Sequence, residues 1–157
     1  MCLFDGCKGL AAMPDLPLTA ARTISEAALA HARVLGLLPI LVVVLDSRAT
    51  VKCALAEDGT STGRFAVAFG KANGALAMGV GSRALADRAK SLPSFFQALS
   101  GVIPGGMLPG PGGVLVRDAS GATIGAVGIS GDIGDNDERA AIAGIEAAGL
   151  IAAPGEP

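Results

Sequence analysis

The 157-residue chain predicts an α/β fold of the α+β kind, an antiparallel sheet with helices packed against it. Its elements read in the order α-β-β-α-α-α-β-β-α, with strands in hairpin pairs rather than in strand–helix–strand crossovers. The first strand is apolar on both parities, the pattern of a strand covered on both faces. A doubly wound nucleotide fold is disfavoured by the same order.

Residues 1–17, with Cys2, Gly6, Cys7, Gly9, Pro14 and Pro17 and no periodicity, read as an N-terminal arm that a neighbour would order. Residues 18–150 are the domain, and 151–157 a C-terminal tail. Leu18 to Leu35 holds strong helix formers with Ile24, Ala28 and Leu35 on one face; Thr19 is its expected N-cap and Gly36 its stop. Ile40 to Leu45 is a β-branched strand, Asp46 to Thr50 a turn, and Val51 to Ala56 the returning strand. Gly63 to Gly79 has helical period, with Phe65, Phe69, Ala72 and Leu76 on one face. Gly70, Gly74 and Gly79 interrupt it, each mid-helix Gly unfavourable by up to about 1 kcal/mol against Ala, so they mark close approach of another helix or a ligand. Ser82–Lys90 and Ser94–Ser100 are short helices that each open on a capping Ser, separated by Pro93. Gly113–Arg117 and Ala122–Ser130 form the second hairpin around the turn Asp118-Ala-Ser-Gly121. The last helix runs from about Asn136 to Ala148, with Asp135 and Glu138 spaced as a capping box and Gly149 as its stop.

Composition narrows the function classes. The chain is 51% apolar and only 17% charged, with 23 Gly and neither Trp nor Tyr; so few charges predict a homo-oligomer that buries part of the surface. A formal charge of −2 without a Lys/Arg cluster argues against nucleic acid. Three cysteines without a C-x-x-C pair fit reduced thiols and a cytoplasmic location. The apolar run Leu37–Leu45 is nine residues, short of the ~20 that span a bilayer.

Candidate chemistry concentrates in two glycine-rich segments, Pro104–Gly113 and Gly125–Asp132, which display backbone and point to a ligand site or a tight subunit contact. The acidic run Asp132, Asp135, Asp137, Glu138 at a helix N-terminus would repel an anion rather than cradle a phosphate. Asp137 has no capping role in that register and is open to a structural, a ligand-contacting or a metal-binding role. Lys71 reads either as a snorkelling surface side chain or as a desolvated ammonium able to bind a carboxylate or do acid/base or Schiff-base chemistry. His31, the one histidine, falls on the face of Ile24, Ala28 and Leu35; it is a core or interface residue, or an axial haem ligand. With one His and no G-x-S-x-G, nucleophilic hydrolysis and His-based metal hydrolysis are poorly supported.

Taken in order, Asp58-Gly59, Arg64-Phe-Ala-Val-Ala-Phe-Gly-Lys-Ala72, Pro104-Gly-Gly106 with Pro111-Gly-Gly113, Gly125-Ala-Val-Gly-Ile-Ser-Gly131 and Asp137-Glu138 resemble the GlcG/HbpS family. This is the haem-binding or haem-degrading domain also found at the C-terminus of PduO-type adenosyltransferases. The resemblance spans about Leu18 to Leu150. It implies a profilin-like or PAS-like sheet of about five strands, one more than the pattern yields, and assembly into tetramers to octamers. It also implies haem or a small organic ligand in a pocket lined by the Lys71 helix, the glycine loops and the Ile129–Gly131 turn. The expected function is a cytoplasmic oligomeric binding protein for haem or a small carboxylate-bearing metabolite. In that pocket Lys71 supplies charge, Gly106, Gly113 and Gly131 allow close backbone approach, and Ser130 and Asp137 give hydrogen bonds. The alternative is a lyase or isomerase of small oxo- or hydroxy-acids with Lys71 and Asp137 as acid and base; a purely structural use of the glycines is the third reading.

Overall fold

The computed structural model describes residues 15–155. They form α1 (Leu18–Val34), β1 (Leu41–Asp46), β2 (Val51–Ala56), α2 (Arg64–Met78), α3 (Ser82–Ser91), α4 (Pro93–Val102), β3 (Gly113–Arg117), β4 (Thr123–Ser130), α5 (Gly134–Ala147) and β5 (Ile151–Ala153). The five strands make one sheet in the order β2-β1-β4-β3-β5, every neighbour antiparallel.

Alternation along β1 sends Val42 and Val44 to one face and Leu41, Val43 and Leu45 to the other. The first face meets α1 and α5 through Ile24, Ala28, Ala141 and Ile145. The second meets α2 through Ala68, Ala72 and Ala75. A strand buried along its whole length is therefore apolar throughout, as its sequence predicts.

Several local expectations are corrected. Thr19 lies inside α1; Pro17 is the N-cap, its fixed φ suiting a helix start, and its carbonyl accepts the Ala21 N–H. Gly36 does stop α1, at φ 65°. On α2 the phenylalanine stripe is not the core face: Phe65 is exposed and the buried stripe is Ala68, Lys71, Ala72 and Ala75. Small residues win there because the helix backbone lies almost on the sheet. Gly70 and Gly74 pack against the loop at Met107 and Leu108 rather than against another helix, and there the Leu108 N–H donates to the Gly70 carbonyl at 3.0 Å. Neither Ser82 nor Ser94 caps its helix; Ser82 is buried instead, accepting the Gly113 N–H at 2.7 Å and donating to the Gly110 carbonyl at 2.5 Å. Asp135 and Glu138 form no capping box, because α5 starts at Gly134 with Ile133 as its N-cap and Asp135 already lies in the first turn; both carboxylates pair with Arg83 instead.

Both chain ends depart from expectation. Ile151–Ala153, expected as tail, supplies the fifth strand by pairing with β3. Of the expected arm, residues 1–14 lie outside the described residues. Leu16 is fully buried, and Asp15 accepts the Ser47 N–H at 3.0 Å and pairs with Arg48, so this stretch is held by its own domain.

Candidate functional site

The centre of the expected site is an ion pair closed inside the protein. Lys71 points from α2 past the end of β4, where Nζ donates to the Ile129 carbonyl and to Asp137 Oδ2, both at 2.9 Å. The two side chains are 7% and 1% exposed. The surface reading of Lys71 is therefore corrected. The other carboxylate oxygen of Asp137 accepts the Asp132 N–H at 3.0 Å, tying the start of α5 to the turn after β4. Burial raises the Asp137 pKa above its ordinary value, and the Lys71 ammonium pulls it back only in part.

Glycines seal this pair. At Gly112, with φ 114°, a Cβ would stand 2.9 Å from Lys71 Nζ and 3.0 Å from the Asp137 Cβ. Gly113 and Gly128 face each other across β3 and β4, and a Cβ on either would drive into α2 backbone, at Lys71 and Ala68 respectively. A Cβ on Gly131 would strike Pro39 and Ile40 at the entry to β1. Close backbone approach is thus real at Gly113 and Gly131, but the group approached is the chain itself. Gly106 stands apart from this centre. Its carbonyl accepts Asn73 Nδ2 at 2.7 Å, beside the Pro104 carbonyl at 2.9 Å.

Ser130 is buried next to the pair, and its hydroxyl accepts Arg64 Nη1 at 3.2 Å. Arg64 also lowers the Asp137 pKa through its charge. Beyond Asp137, Glu138 bonds Arg83 Nε at 2.8 Å through one oxygen, while its other oxygen is buried without a partner; burial raises its pKa. Asp132 accepts the Leu38 N–H at 2.8 Å, the Ile133 N–H at 2.8 Å and Asn136 Nδ2 at 2.8 Å, and these bonds lower its pKa. Lys71, Asp137 and Ser130 are thus brought together, with Gly113 and Gly131 as walls. Sequence reasoning missed Arg64, Arg83, Ser82 and Asn73 as the groups that saturate this region. Arg64 was visible as the first residue of a motif; the other three have no spacing signal, since their partners lie at least 28 residues away.

His31 lies on the opposite layer, half-buried on the flank of α1. Ile24 and Ala28 of its expected face are buried, whereas one turn on Val34 is 84% and Leu35 43% exposed. Beside that helix end opens a cleft of about 450 Å³ lined by Arg33, Pro39, Ala56, Glu57 and Asp58. Arg33 is held there by Glu57 at 2.7 and 2.9 Å. Of α1 only Arg33 lines the cleft, and as the second residue after His31 it leaves the helix on nearly the opposite side from the imidazole. Among the described residues no group of His, Cys, Asp and Glu could hold a metal ion, and no helix is long and apolar enough to cross a membrane.

A family model described as haem degrading protein HbpS-like matches residues 16–146. Among solved structures, that of HbpS is 30% identical, with a TM-score of 0.77 over 88% of this chain and 95% of that one. A PduOC–haem complex is 24% identical, with a TM-score of 0.77 over 87% and 96% of the two chains. Klebsiella pneumoniae protein ORFY is 17% identical, with a TM-score of 0.75 over 90% and 96%. These last two support the fold alone. No curated protein matches the chain.

Proposed function

Because the chain belongs to the HbpS-like haem-degrading protein family, we propose that it is a haem-binding protein, working as a cytoplasmic homo-oligomer of four to eight copies with His31 as axial ligand. Family membership is the observation that carries this reading. The residues at the end of α1 fit the group. His31 is half-buried on α1, and the exposed Val34 and Leu35, three and four residues on, share its face of the helix. In its neutral form the imidazole serves as a single proximal ligand. The aliphatic pair would exclude water from one side of a flat apolar ligand. Haem bound there would supply a redox-active iron.

Lys71, Ser130 and Asp137 hold the fold around this function in our reading, with Gly113 and Gly131 making room for backbone. A small carboxylate at Lys71, or the lyase and isomerase alternative with Lys71 and Asp137 as acid and base, needs a path to Nζ. The burial of both side chains and the close cover by Gly112 weigh against it.

Hemin titration followed by absorbance tests the proposal. The wild-type chain is expected to give a saturable Soret band, and His31→Ala to bind at least about tenfold more weakly, ~1.4 kcal/mol, with an unchanged circular dichroism spectrum. Equal binding by His31→Ala would reject His31 as the ligand. No band at tens of micromolar protein would reject haem itself, and native mass spectrometry for a retained metabolite would then decide for the small-carboxylate ligand.

A further inference from the structure

Helices α2 and α4, both packed against α3, and the loop that joins α4 to β3 carry no exposed side-chain charge beyond Arg64, the first residue of α2. Between Phe65 and Gly81 the one charged residue is Lys71, which is buried, and between Leu92 and Val116 there is none. Large apolar side chains are nevertheless open to solvent on these elements: Phe95 is 55% and Val102 76% exposed, and Phe65, Leu92 and Leu108 join them. Charges return on α3, which packs against both α2 and α4, with Asp87, Arg88 and Lys90, and at the β1–β2 turn with Arg48. An uncharged apolar centre inside a charged rim is the anatomy of a protein–protein interface.

We infer that this uncharged surface is the one through which one copy of the chain binds a second, with Phe95 and Val102 of α4 at the centre of an isologous contact. A two-fold contact sets each patch against itself, so any charge at its centre would meet its like; a centre without charge is what self-pairing requires. The same lack of charge gives a charged partner, whether nucleic acid, an acidic peptide or an anionic membrane, nothing to read. A standard interface covers about 800 Å² on each partner, about a tenth of the 8392 Å² surface, which one helical layer can supply. Beside Ile103 lies a groove of about 330 Å³, walled by Leu76, Ala77 and Pro104 and lined too by Ser47, Arg48 and Asn73. It gives an apolar side chain of the second copy a place to enter.

This inference rests on the homo-oligomer proposed above, and its test separates the two. Light scattering coupled to gel filtration, over a dilution series from about 50 µM, gives the mass of the wild type, of Val102→Glu, of Phe95→Glu and of Leu18→Glu, the last an exposed position on the α1 layer. The wild type and Leu18→Glu are expected to share one oligomeric mass. Val102→Glu and Phe95→Glu are expected to fall to a smaller species, their association weakened at least about 100-fold by like carboxylates at the axis, with thermal melting still cooperative. Val102 and Phe95 are surface positions, so loss of fold is not expected from either. Oligomers that survive both α4 substitutions overturn this interface and leave the oligomer standing. A monomeric wild type, or a monomer that co-sediments with phosphatidylcholine vesicles, overturns the interface and the oligomer together, while hemin titration of the same samples reports separately on haem.

Discussion

Replacing Lys71 with Met removes the ammonium and keeps most of the side-chain volume. Asp137 is then left 1% exposed with the Asp132 N–H as its remaining partner, and the Ile129 carbonyl loses its lysine donor. Breaking one side of a buried pair costs about 3–5 kcal/mol, a large part of the ~5–15 kcal/mol by which such a domain is stable. Burial already raises the Asp137 pKa, and without Lys71 it rises further. An acid whose folded pKa is raised binds its proton more tightly when folded. Its unfavourable contribution therefore grows as pH rises from the ordinary 3.8 through the raised value, and vanishes below both. Urea unfolding followed by circular dichroism should show Lys71→Met about 3–5 kcal/mol less stable at pH ~7 and much closer to wild type at pH ~4. The double variant Lys71→Met, Asp137→Asn should regain part of the loss, since it removes the unpaired buried charge at unchanged volume and keeps an acceptor for the Asp132 N–H. A single-variant loss below about 1 kcal/mol, or a double variant that costs the sum of the singles, would refute a buried, mutually dependent pair. Hemin binding by folded Lys71→Met should match wild type, because His31 lies on the other layer.

Two further outcomes test how the region is built. Gly128→Ala places a methyl against the Ala68 carbonyl and 3.0 Å from the Ala72 Cβ, so α2 must lift from the sheet; a loss of about 3 kcal/mol or more is expected in thermal melting, and a near-neutral variant would contradict the contact. Asp132→Asn tests the acid limb. Its carboxylate pKa is lowered by hydrogen bonds, so its stabilisation is full above the ordinary 3.8 and disappears as pH falls through the lower folded value. The wild type should therefore exceed the variant in urea midpoint at pH ~6 and converge on it by pH ~2, and an offset that stays constant across that range would show that the carboxylate's charge is not what holds the Leu38 and Ile133 N–H groups.

Local order was legible where the cause is local. Both hairpins, all five helices and the strand covered on both faces follow from period, β-branching and turn chemistry, and Gly36 stops its helix in the left-handed region as its position predicts; Gly79, read as an interruption, is the stop of α2. The caps were not legible. Ser82, Asp135 and Glu138 have the right types at the right spacing, yet Gly113 and Arg83, distant in sequence, draw their side chains away. β5 was missed because three residues, Ile151–Ala153, carry too little period to register; the pairing with β3 makes them a strand.

The candidate site divides along the same line. By itself the sequence determined that the chain is an HbpS-like α+β domain, that its glycine segments need close approach, and that its surface is short of charge. Only the tertiary structure decided what approaches those glycines. Side-chain type sets how near two elements can come, but not which elements meet, so Gly112, Gly113, Gly128 and Gly131 could have faced a ligand. Here they face α2, the Lys71–Asp137 pair and the entry to β1. Burial is a property of the assembled layers, which is why Lys71 is an internal tie rather than an open cation and why the side chains left at the surface are His31, Val34 and the uncharged face of α4.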